Sequence, residues 1–129
     1  MVDAVWRRVV LSIALILITA VPGRAAKATV DRFDGPWSVV IVTEQGNCDR
    51  AYRYGLRIEG GKVRYEGSAD VTVSGTVDAG GRVTVDVRSG GSSAHGSGQL
   101  DDSTGSGSWQ GASANSRCSG NWEAERPAR

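Results

Sequence analysis

The chain has 129 residues, 22% of them charged, and a formal net charge of +1. That length holds one domain and is too short for two full-sized hydrophobic cores. A single His and two Cys fall short of the four ligands a structural zinc site takes, and a charge this close to zero argues against a dedicated nucleic-acid binder.

Residues 1–28 read as a signal peptide, leaving 29–129 as a single domain. Arg7 and Arg8 precede an apolar run from Val9 to Val21, interrupted only by Ser12 and Thr19. Pro22 and Gly23 then break the run, and Ala26-Lys27-Ala28 places small residues where a signal peptidase reads. The run is shorter than the about 20 residues a membrane span needs, so no stable membrane insertion is expected after cleavage; an uncleaved anchor is the alternative. The arginine pair leaves Sec and twin-arginine export both open. Export to the periplasm or the medium follows. Cleavage removes Arg7, Arg8, Arg24, Lys27 and Asp3, which takes the formal charge from +1 to −2.

Beyond the leader the pattern has period two, the mark of half-buried antiparallel strands. Trp37, Val39 and Ile41 alternate with Ser38, Val40 and Val42; Tyr52, Tyr54, Leu56 and Ile58 alternate with Arg53, Gly55, Arg57 and Glu59. The same holds for Val63 and Tyr65, for Val71, Val73 and Val77, and for Val83, Val85 and Val87. Gly60-Gly61, Gly80-Gly81 and Gly90-Gly91 mark turns, where glycine supplies the positive φ of tight hairpins. The Gly/Ser-rich stretch 89–111 could pass for a linker. Its small residues alternate too, however, and predict two strands with a nearly bare inward face, covered by nearby tryptophans. The last strand puts Trp122 and Ala124 inward. Eight strands result, at roughly 36–44, 52–59, 62–67, 69–77, 82–88, 93–100, 104–111 and 119–126. Joined in order, they predict an all-β, eight-stranded, up-and-down barrel.

Cys48 falls just past the first strand and Cys118 just before the eighth. In an exported chain two cysteines pair by default. Closure of an even-stranded barrel brings both to one rim, whereas an open sheet separates them by many strands of about 4.8 Å each.

Gly35-Pro36-Trp37 resembles the G-x-W that opens the first strand of lipocalins and avidins. The resemblance implies that Trp37 plugs one end of the barrel and that a basic residue from the last strand, here Arg126, packs on its ring. Phe33 to Trp37 and Cys118 to Arg126 together are similar to the two ends of small exported bacterial β-barrel proteins of unassigned function, which implies export and a β fold but no activity. The periplasmic inhibitor of metalloproteases is a third comparison, as a small disulfide-bearing eight-stranded barrel.

No constellation for catalysis stands out, and the expectation is a non-enzymatic protein without cofactor or metal. His95, the sole histidine, falls on the outward face of the sixth strand with no nucleophile elbow beside it. The carboxylates are scattered, and Asp101-Asp102 suits a turn. The residues of interest are the inward aromatics Trp37, Tyr52, Tyr54, Tyr65, Trp109 and Trp122. In so small a barrel they are expected to fill the interior; the alternative is a small apolar pocket at the mouth. Val40 and Val42 make the first strand apolar on its outer face as well, where the segment through Phe33, a second copy or a partner protein would cover it. The function expected is binding of a protein partner or a small apolar ligand, with protease inhibition as the alternative.

Overall fold

The structure is a computed structural model that describes residues 31–127; the expected leader, 1–28, lies outside the described residues. The fold is all-β. Its strands are β1 (Gly35–Gln45), β2 (Ala51–Glu59), β3 (Lys62–Tyr65), β4 (Thr72–Val77), β5 (Arg82–Ser89), β6 (Ser92–Leu100), β7 (Thr104–Ala112) and β8 (Arg117–Glu125). Each pairs antiparallel with the next, and β8 returns to β1 to close the barrel. Period-two patterning drives this arrangement: on β5, Val83, Val85 and Val87 face inward while Arg82, Thr84 and Asp86 face solvent. The Gly/Ser-rich stretch forms β6 and β7, paired residue for residue from Ser93↔Ala112 to Leu100↔Gly105.

Several boundaries differ from expectation. β3 stops at Tyr65 and β4 begins at Thr72, so 66–71 is a loop and not strand. The chain folds back over Tyr65, whose hydroxyl accepts from the Ala69 N–H at 3.2 Å, while Glu66 takes the Arg57 guanidinium at 2.7 Å. Gly67 lies against the same phenol ring, where a Cβ would collide. Only Lys62 and Val63 of β3 pair with β4. At the hairpins, Gly60 and Gly61 both have positive φ (57° and 78°), but of the other two pairs only Gly81 and Gly90 do.

The two barrel ends are unlike. One is closed by buried side chains, among them Trp37, Ile58, Val63, Val83 and Leu100. Phe33 plugs it from below with no exposed surface. The Trp37 indole N–H donates to the Phe33 carbonyl at 2.9 Å. The Arg126 guanidinium lies 4.8 Å from the Trp37 ring centroid and donates to the carbonyls of Arg32 and Asp34. Asp34 in turn accepts from the Gly60 N–H at 2.9 Å. The segment through Phe33 therefore caps the barrel end and does not cover the outer face of β1, where Val42 stays 40% exposed.

At the opposite end Cys48 and Cys118 form a disulfide, with Cα atoms 6.1 Å apart and 70 residues between them in sequence. Cys118 is inside β8, not ahead of it, and is buried opposite Gly111. Closing a loop of that length stabilises the fold by about 4 kcal/mol.

Candidate functional site

The inward face is not filled. Toward the disulfide end the inward side chains are short, chiefly Val73, Val85, Val87 and Ala94, and do not meet across the barrel. They leave a cavity of about 180 Å³ with apolar walls. Its floor is Trp37, Val39 and Ile58 at the closed end; its upper wall includes the half-buried Tyr52, Tyr54 and Trp109. Every residue lining it is uncharged. Of the inward aromatics, Trp37, Tyr52, Tyr54, Trp109 and Trp122 border this space, and Trp37 and Trp122 belong to the buried core as well.

The two tryptophans of β7 and β8 explain where the aromatic bulk goes. Trp122 lies flat along the wall over β7 and β6, and its indole N–H donates to the Ser97 carbonyl at 3.2 Å. A Cβ at Gly107 would stand 2.6 Å from that ring, and one at Gly98 2.5 Å. Trp109 goes the other way. It sits opposite Gly120 of β8 and reaches past that strand to donate to the Val42 carbonyl of β1 at 3.0 Å. Both rings run along the sheet and not across the barrel axis. A Cβ at Gly107 or Gly98 would meet the facing backbone carbonyl, of Ser97 or Ser106, even before the ring, so these glycines serve the close approach of β6 and β7 as well as the flattened indole of Trp122.

The tyrosines form one cluster on the other wall. Tyr52 and Tyr54 stack with centroids 6.0 Å apart, and Tyr54 meets Tyr65 edge-on at 6.2 Å. Burial, and then the neighbouring Tyr52 and Tyr65, push the Tyr54 hydroxyl above its ordinary pKa. Tyr65 is not part of the cavity wall; it packs beneath the 66–71 loop and backs Tyr54.

On the outer surface His95 faces solvent as expected, half exposed, and its Nδ1 is 2.9 Å from Asp86 Oδ1. The sequence contained the signal for this pair: a hairpin centred on Gly90-Gly91 puts residues 86 and 95 opposite each other. Among the described residues no group of three or more His, Cys, Asp or Glu is placed to hold a metal ion, and no helix is long and apolar enough to cross a membrane. No family model, no curated protein and no solved structure matches the chain.

Proposed function

We propose that the protein is an exported, non-enzymatic carrier or receptor for a small, neutral, apolar molecule held in the open end of the barrel. The observation that carries this is the uncharged, apolar cavity of about 180 Å³ inside a domain of this size. A cavity of about 150 Å³ with walls of this kind accepts benzene, so the ligand is of one-ring or short-chain size. Ionised groups would lose their hydration with no opposite charge to meet, which selects neutral molecules. Tyr52 and Tyr54 offer hydroxyls to a polar tip. The disulfide suits an oxidising compartment. Protease inhibition by a free N-terminal arm is disfavoured by residues 31–34, which are held against the barrel through Phe33, Asp34 and Arg126.

The test is a titration of neutral benzyl alcohol and hexanol against charged benzoate and hexanoate, followed by Trp fluorescence and by the amide signals of Val87 and Ala94. The neutral members should bind and raise the melting temperature, and Ala94→Leu, which fills the cavity, should abolish the effect. Equal binding of the charged members, or undiminished binding by the Ala94→Leu variant, overturns the proposal.

A further inference from the structure

A second recess lies on the outer face, an open polar groove of about 550 Å³ crossing β5 to β8 and reaching β1. Register builds it from two adjacent transverse rows. The row nearer the rim is Arg88, Ser93, Ala112 and Arg117. The row beneath is Asp86, His95, Gln110, Ser119 and Gln45. Ser93 and Ala112 are small, so the middle of the first row is low while an arginine stands at each end, three strand spacings or about 14 Å apart along the backbone.

The chemistry of this groove is specific. Among the described residues Arg88 and Arg117 have no carboxylate partner. Two unpaired guanidiniums flanking one recess are donors suited to an oxyanion, which each can hold by paired N–H bonds. The second row supplies groups of another kind. A carboxylate can only accept, so the Nδ1–H of His95 donates to Asp86, which leaves Nε2 for a ligand. Gln110, Gln45 and Ser119 each donate and accept. Ala112 is the one outward apolar side chain in the groove, so it offers no pocket to an apolar peptide side chain.

We propose that this groove binds an acidic sugar, with its carboxylate or sulfate between Arg88 and Arg117 and its hydroxyls on His95, Gln110 and Ser119. The groove shares Val87 and Ala94 with the wall of the cavity, but the side chains proposed to hold the sugar are outward ones that do not line the cavity.

The experiment titrates the full chain, at low ionic strength, with a glucuronate-containing oligosaccharide, the corresponding neutral glucose oligosaccharide and a short poly-glutamate peptide, read by amide chemical shifts. The acidic oligosaccharide should shift Arg88, Ser93, Gln110 and Ala112, and the neutral one should bind at least about tenfold more weakly. The Arg88→Gln/Arg117→Gln double variant, altered only at exposed positions, should lose at least about tenfold in affinity with an unchanged melting temperature and unchanged binding of benzyl alcohol. No shift at the groove, shifts that survive in the double variant, or poly-glutamate binding as tight as the acidic oligosaccharide would each overturn the proposal.

Discussion

The indole of Trp122 lies over Gly107 so closely that a methyl group there would stand 2.6 Å from the ring. Gly107→Ala must therefore displace the ring or the strand. Overpacking of this kind costs about 2 kcal/mol, to be read as a lower urea midpoint. The near-UV circular dichroism should change as well, because the ring gives up its bond to the Ser97 carbonyl.

Arg126→Met keeps much of the aliphatic stem but removes the guanidinium from above Trp37 and from the carbonyls of Arg32 and Asp34. The expected loss is about 2 kcal/mol in denaturant unfolding, with the m-value unchanged. Cysteine pairing is unaffected at the other end, so the variant should still show no free thiol.

Replacing Cys48 and Cys118 together by Ser removes the constraint on a 70-residue loop. Stability should fall by about 4 kcal/mol, and reduction of the native protein should reproduce the effect. Calorimetry with and without reductant checks both.

Tyr54 gives a pH dependence. Its folded pKa is raised above the ordinary value of 10.0 by burial and by Tyr52 and Tyr65. The unfolded chain therefore loses that proton first. The stabilisation is fully present below pH 10.0 and is lost as pH rises through the folded value. Tyr54→Phe should flatten this part of the alkaline limb, read by denaturant unfolding across the alkaline range.

Without ligand, Ala94→Leu should gain about 1 kcal/mol, as cavity filling commonly does. A higher melting temperature for the variant, coupled to lost binding, identifies the cavity as the shared cause.

Much of this was legible in the residues. Alternation identified the strands, and Cys48 with Cys118 predicted closure, because only closure puts residues from the first and last strands side by side. The loop at 66–71 was not legible, because Val71 and Val73 continue the alternation backward and nothing local shows that Tyr65 gathers the chain over itself through Ala69. The cavity was hidden for a different reason. Alternation reports which way a side chain points, not how far it reaches, and whether Trp109 and Trp122 cross the barrel or lie along its wall depends on carbonyls two strands away. The groove depends on register across five strands, which places Arg88 and Arg117 in one row although 29 positions separate them in sequence.

Closure also fixes when the fold can exist. The β1–β8 pairing, the partner of Cys48 and the arginine over Trp37 all come from residues 117–126. A chain made from its N-terminus forward has a sheet with two unsatisfied edges until that last segment is released. Its first strand must wait for its eighth, a pairing of segments far apart in sequence that slows folding and leaves Cys48 without its partner until β8 arrives.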